Sequence, residues 1–455
     1  MKKLVKRTIV LLFTLQAGLL QIVLAQDNEV SLTVYNDNLA LVREVRTIAL
    51  KKGVSDVRFQ DVASRIDPTS VYFSSLTAPE KVMILEQNYE YDLVNSEKIL
   101  QKYLDQKINI TAKEGKFYSG TLLSAASHDI ILQEEDGKIK IVNRGSVETM
   151  DFPKLPDGLI TRPTLVWSLD CQKSGDHKIE VGYLTSGIQW HAEYVGVTNK
   201  EDSKLDLGAW VSIDNKSGAT YENAKLKVVA GDVHRARAPV RPLSLARRTL
   251  AESAPDHFEE KAFFEYHLYT LQRRTTVTNH QVKQISLIEN TEVAVAKKYA
   301  FDGARDGRRV RVNLEFENKK RVGLGIPLPA GKIRIYKEDD DKSLIFIGED
   351  FIEHTPKDEK VRIYVGNAFD IVGERTQKDR RSVGKNSWEE TWEIKLRNHK
   401  DAAVAVAVVE RLNFDWEIGR TSHEYQKKNA TTIEFSVEIP QDGEGVVEYV
   451  VRYNR

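Results

Sequence analysis

One cysteine, Cys171, stands in 455 residues, so no internal disulfide can form and packing alone must hold the fold. Cys171 follows Leu165-Val166-Trp167 and Asp170 and reads as a small residue at a strand end, with no histidine marked as an activating partner. Net charge is also lacking. Lys+Arg number 67 and Asp+Glu 67, which removes any long-range field that would draw the chain to a nucleic acid or an anionic membrane. After the first two dozen residues no apolar run is long enough to span a bilayer. Reaction motifs are missing as well: there is no Gly-x-Ser-x-Gly elbow, no phosphate-binding Walker pattern and no Cys-x-x-Cys. Gly323-Leu324-Gly325 leads into Ile326-Pro327 rather than a helix, so it is no dinucleotide loop. His423-Glu424 opens a zinc-protease pattern, but Lys427 occupies the position of the second histidine. Asp339-Asp340-Asp341 lacks the alternating spacing that wraps calcium and reads as a charged hairpin tip. No catalytic residue, metal or cofactor is expected.

What is present begins with an address. Lys2, Lys3, Lys6 and Arg7 precede an apolar run from Thr8 to Leu24, and Val23-Leu24-Ala25 before Gln26 is a small-residue cleavage signature. Residues 1–25 are expected to be a secretory signal peptide, which places the mature protein in the periplasm or at the cell surface. An uncleaved anchor is the alternative, weakened by Gln16, Gly18 and Gln21 inside the run. Position 26 is Gln, so lipid attachment to a cysteine after the cut is excluded.

Nearly everything that follows alternates apolar with polar. Leu205, Leu207, Ala209, Val211 and Ile213 form one such series; Val361, Ile363 and Val365, then Trp392, Ile394 and Leu396, then Ile433, Phe435, Val437 and Ile439 form others. A period of two buries one face of a strand and wets the other, as antiparallel sheets allow. Lys51-Lys52-Gly53, Asp136-Gly137 and Asp442-Gly443 supply the turns. The expected fold is all-β: serial antiparallel β-sandwiches with a small inserted barrel and an immunoglobulin-like C-terminal sandwich. The expected division is an N-terminal β segment (26–95), a small barrel (96–156), a β-sandwich region (157–233), a polar, Arg- and Pro-containing linker (234–260), a second β-sandwich region (261–384) and the C-terminal sandwich (385–455).

Within the small module Ser96 is the expected helix N-cap, ahead of an apolar face of Ile99, Leu100, Tyr103 and Leu104, and five short strands follow. Glu114-Gly115, Gly120 and Asn143-Arg144-Gly145-Ser146 fall where the Sm-like, or SH3-like, small barrel has its second-strand turn, its bend and its second signature, and the module resembles that family. The loop that carries the RNA contact there reads Ala126-Ser127-His128-Asp129 here, which departs from the pattern.

Two polar pairs are the candidate site residues. His191 and Glu193 are two apart on one strand face, with Trp190 and Tyr194 on the other; Glu265 and His267 repeat the spacing, with Phe264, Tyr266 and Leu268 opposite. Such pairs suit metal binding, a base with its orienting partner, or a solvated polar face. Of the six tryptophans, Trp210 falls on the polar phase of its strand and is expected to face outward or to meet a neighbouring domain.

The runs Leu184 to Tyr194, Leu205 to Asp232, Phe264 to Tyr269, Gly325 to Gly331 and His354 to Arg375, with Tyr35 to Ala40, resemble the signature segments of an exported bacterial family of unknown function. That family shares its C-terminal domain with mucoidy-inhibitor-A-like proteins, whose long heptad helices are missing here. The resemblance implies no activity. The expected role is a non-catalytic envelope protein that binds or scaffolds a protein or glycan partner. The alternative is a hydrolase acting on envelope glycan or peptide through carboxylates brought together in three dimensions.

Overall fold

The computed structural model describes residues 28–126, 128–231, 233, 258–263 and 266–454. The expected signal peptide, residues 234–257 of the expected linker, and Glu265 lie outside these described residues. The fold is all-β, with several largely antiparallel sheets, as the alternation predicts.

The N-terminal body has two layers. One layer is a large sheet in the order Phe258–Phe263, Tyr266–Leu271, Tyr221–Ala230, Glu29–Tyr35, Ala40–Leu50, Gly175–Thr185, Tyr72–Ser75, with Thr275–Val277 also beside Tyr221–Ala230. Two sheets pack against it. A three-stranded one (Gly53–Gln60, Thr164–Cys171, Val82–Glu90) meets it where Trp167 lies 4.9 Å from Phe73. A five-stranded one, the central sheet, runs Gln281–Ala294, Lys204–Asn215, Ile188–Thr198, Gly331–Glu338, Leu344–Ile352, and meets it where Trp190 lies 6.3 Å edge-on to Tyr269. A single core from Leu32 to Ile363 joins all three.

Strand pairing therefore crosses the expected borders. Glu29–Tyr35 lies parallel to Tyr221–Ala230, Ala40–Leu50 pairs with Gly175–Thr185, and Ile188–Thr198 lies parallel to Gly331–Glu338. Residues expected in 26–95, 157–233 and 261–384 share one core. The reason is physical: a period of two says which face of a strand is buried, but not which distant strand it meets. The Phe258–Phe263 strand likewise draws the last residues of the expected linker into the large sheet.

The small module is inserted between Val82–Glu90 and Thr164–Cys171, which are neighbours in the three-stranded sheet, so the chain leaves and re-enters side by side. Its helix, Ser96–Lys102, is capped by Asn95, whose side chain accepts from Lys98 N at 2.9 Å; the cap is one residue earlier than expected. Five strands follow in the order Val147–Asp151, Lys107–Ala112, Lys116–Ser124, Asp129–Gln133, Ile139–Asn143, around a separate core of Leu100, Tyr103, Ile108, Ile110, Leu122, Ile130, Leu132 and Val142. Gly120 is required there, because a Cβ would lie 2.6 Å from the Gln133 carbonyl oxygen.

The C-terminal body is a nine-stranded sheet that curls over on itself, bringing the ring of Tyr449 within 5.6 Å of Phe435. It recruits Ala296–Phe301, Arg309–Glu317 and the 25-residue strand Lys360–Gly384, all upstream of the expected border at 385. Two of these strands serve both cores. Leu314, Phe316, Val361 and Ile363 pack into the N-terminal core, whereas Val310 and Ile371 pack into the C-terminal one. The two bodies are thus splinted by continuous strands rather than joined by a linker.

Candidate functional site

The central sheet has one dry face and one open face. Along Ile188–Thr198, Trp190, Ala192, Tyr194 and Gly196 point into the core, and His191, Glu193 and Val195 point out. The neighbouring strand Gly331–Glu338 is set in place by the loop before it. Tyr194 donates to the Pro329 carbonyl at 2.7 Å, Tyr269 to that of Pro327 at 2.8 Å, and Asn318 to that of Ile326 at 2.7 Å. Burial pushes the Tyr194 phenol well above its ordinary range, so it remains a donor. Gly331 permits the closest approach, since a Cβ there would sit 2.2 Å from the Ala192 carbonyl oxygen. The Gly325 to Gly331 signature is therefore a positioning device for the sheet.

Ser286, Trp210, Glu193, Lys332 and Phe351 form a row across all five strands of the open face. In the next row Arg334 pairs with Glu349. Glu193 is the hub: one carboxylate oxygen lies 3.1 Å from His191 Nε2, and the other accepts from Arg334 at 2.5 Å. Arg334 also reaches Glu349 at 3.4 Å, and Lys332 reaches it at 3.6 Å. Lys332 Nζ stands 5.6 Å from the centre of the Phe351 ring, which is 71% exposed. A β-bulge lies beside Trp210: Ala209 faces Ile288 while Trp210 faces Ser286, leaving Leu287 as the extra residue.

Trp210 differs from every other tryptophan in the chain. Trp167 donates its indole N–H to Gln87, Trp190 to the Val229 carbonyl, Trp388 and Trp392 both to Glu390, and Trp416 to the Ala430 carbonyl. Trp210, 42% exposed, has no hydrogen-bond partner and no ring contact among the described residues. Its expected outward orientation is what the structure shows.

The second polar pair does not join the first. Glu265 lies outside the described residues. His267 is in the large sheet opposite Ala230, in phase with buried Tyr269 and Leu271, so it faces the core side at the edge of the sandwich. His191 and Glu193 point away from that core. The expected phase at His267 is inverted because Leu268 and Tyr269 put apolar groups in both phases of this strand.

Two further constellations escaped the sequence because their members are far apart in the chain. Ser75 Oγ lies 2.9 Å from His177 Nδ1, and His177 Nε2 lies 2.7 Å from the Lys173 carbonyl. Both side chains are buried at the end of the large sheet, where no substrate could reach the hydroxyl. Beside them, Cys171 closes its strand with its thiol on the same carbonyl at 3.0 Å. In the C-terminal body, Arg375 grips Glu410 with Nε at 3.0 Å and a terminal nitrogen at 2.8 Å, and lies 3.3 Å over the Trp392 ring. Tyr449 donates to the same carboxylate at 2.5 Å. Burial alone would lower the Arg375 guanidinium, but Glu410 outweighs it and the net shift is upward; burial, then Glu410, pushes Tyr449 up. The alternation pattern marks none of these partners.

At the end of the open face a cleft of about 480 Å³ is lined by Lys200, Lys204, Asp206, Glu292, Glu338 and Asp340, with Lys200 paired to Asp340 at 2.6 Å and Lys204 to Glu292 at 2.9 Å. Among the described residues no group of three or more His, Cys, Asp or Glu side chains is placed to hold a metal ion. No helix among them is long and apolar enough to cross a membrane.

No protein-family model and no curated protein matches the chain. Among solved structures, the backbone protein of the group B streptococcus pilus 2b aligns over 91% of this chain and 88% of its own at 9% identity, with a TM-score of 0.12. A score that low assigns neither fold nor function.

Proposed function

We propose that this chain is a non-catalytic, exported envelope protein that holds a protein or glycan partner against the open face of the central sheet. Trp210 is the observation that carries the reading. An indole on an interior strand of the central sheet, with no hydrogen-bond or aromatic partner among the described residues while the other five N–H groups are committed, fits a residue that awaits an external partner. The charge pattern after Met1 and the cleavage signature at Ala25 support export. Membership of the exported family of unknown function that shares a domain with mucoidy-inhibitor-A-like proteins is part of the proposal. So is an Sm-like identity for the small module, which its strand order and its Glu114-Gly115 turn, both residues at positive φ, support.

The competing reading, a hydrolase of envelope glycan or peptide, needs one carboxyl group that keeps its proton. Glu193 and Glu349 share Arg334, and each has a second basic neighbour, so both carboxylates are tied into ion pairs. A photo-crosslinking residue in place of Ser286, which faces Trp210 in the same row, tests the binding reading with the indole intact. In intact cells it should yield a discrete adduct in the envelope fraction, and the same residue at Trp416 should not. Absence of any adduct at 286, or recovery of the protein with its leader in the cytosol, would overturn the reading.

A further inference from the structure

We propose that the occupant of the open face is a neutral, linear hexopyranose chain laid across the strands from Trp210 to Phe351. This inference rests on the reading of that face as the binding surface, and it names the ligand class.

Three features of the face point to this chemistry. The first is the arrangement of aromatic and polar groups. Within the row Trp210 and Phe351 flank Glu193 and Lys332. Three strand spacings separate the rings, about 14 Å, enough for several sugar rings end to end. Protein-binding patches are built the other way round, with aromatics at a dry centre and charges at the rim. A saccharide chain has apolar C–H faces that lie on aromatic rings and hydroxyls that need polar groups between them.

The second feature is charge balance. Glu193 and Glu349 are matched by Arg334 and Lys332, linked in one chain of contacts. A charged polymer would gain little from such a surface, because attraction to one sign is offset by repulsion from the other. A hydroxyl both donates and accepts, so it can use both members of an ion pair. The planar guanidinium offers donors in a fixed fork, and the carboxylates offer acceptors beside it.

The third feature is the exposed indole. Its N–H is a donor with no protein acceptor among the described residues, and a ring or glycosidic oxygen above the sheet would supply one.

The test uses the full mature chain and a panel of linear hexasaccharides: cellohexaose, maltohexaose and hexa-N-acetylchitohexaose as neutral probes, hexagalacturonate as the anionic one. Binding is read by calorimetry and by tryptophan fluorescence. At least one neutral probe should bind, with affinity falling ten-fold or more in Trp210→Ala and in Phe351→Ala while the melting temperature stays within a few degrees. Trp416→Phe should bind as wild type. Failure of every neutral probe to bind, tighter binding of hexagalacturonate than of any neutral probe, or indifference to Trp210→Ala would overturn the proposal. A polypeptide adduct at position 286 in cells, with no saccharide bound in vitro, would reject the glycan and leave the binding face standing. No adduct at all would reject the face itself.

Discussion

The molecule builds the same trio of arginine, glutamate and tryptophan twice, with opposite consequences. In the C-terminal body, Arg375 lies on Trp392, grips Glu410, and leaves Glu410 only 1% exposed; the indole N–H is taken by Glu390. On the central sheet, Arg334 grips Glu193, but Trp210 one strand away is 42% exposed and its N–H has no acceptor among the described residues. The first trio closes on itself and has no capacity left for a ligand. The second has its charges balanced and its aromatic surface exposed. Residue types alone do not separate structure from function here; what separates them is whether each donor and each ring face already has a partner inside the protein.

The comparison is broken most strongly by removing the carboxylates. Glu410→Ala would leave the Arg375 guanidinium and the Tyr449 hydroxyl without their shared acceptor, and should cost about 3–5 kcal/mol in chemical denaturation. Glu193→Ala, on a partly solvated face, should cost about 1 kcal/mol or less. Equal losses would erase the distinction between the two trios.

Nearly as large an effect is expected inside the core. Trp190 is 1% exposed, donates to the Val229 carbonyl and touches Tyr269, so Trp190→Ala should cost about 3–5 kcal/mol. Trp210→Ala, on the same sheet but the opposite face, should cost about 1 kcal/mol or less. Matched denaturation curves would check both. A large loss at Trp210 would recast it as a packing residue.

A smaller, pH-dependent effect is expected where the central sheet meets the C-terminal body. Asp202 is held by Lys297 from one body and by Lys337 from the other, the latter at 2.6 Å. Burial pushes its carboxyl up, but hydrogen bonds from the two lysines outweigh this and hold it below its ordinary 3.8. A lowered folded pKa means that the ionised carboxylate contributes stability above the unfolded value, and that this is lost as pH falls through the folded one. Wild type should therefore melt above Asp202→Asn at neutral pH, and the gap should close progressively below about pH 3.8. A gap that persists at lower pH would show that the carboxylate charge is not what joins the bodies.

Much of the architecture was legible from alternation. Leu205, Leu207, Ala209, Val211 and Ile213 are all buried, and so are Ile433, Phe435, Val437 and Ile439. The same pattern set Trp210 apart, because it broke the polar phase of a clean strand. Partner choice was not legible. The pairing of Glu29–Tyr35 with Tyr221–Ala230 joins segments nearly two hundred residues apart, and nothing in either segment alone specifies the other. Arg375 and Glu410 met for the same reason: topology brought their strands together, and burial then made the pair matter. At His267 the local signal itself was mixed, since Leu268 and Tyr269 offered apolar groups to both faces, and packing chose Tyr269.

The most direct test of the central claim reads the six indole N–H groups of the full chain by nitrogen-15 NMR, with the Trp210 signal assigned from Trp210→Phe. Five signals should be slow to exchange with water, while that of Trp210 exchanges fast and alone moves when the bound hexasaccharide is added. A protected Trp210 signal, or a shift at another indole with Trp210 unmoved, would contradict the account.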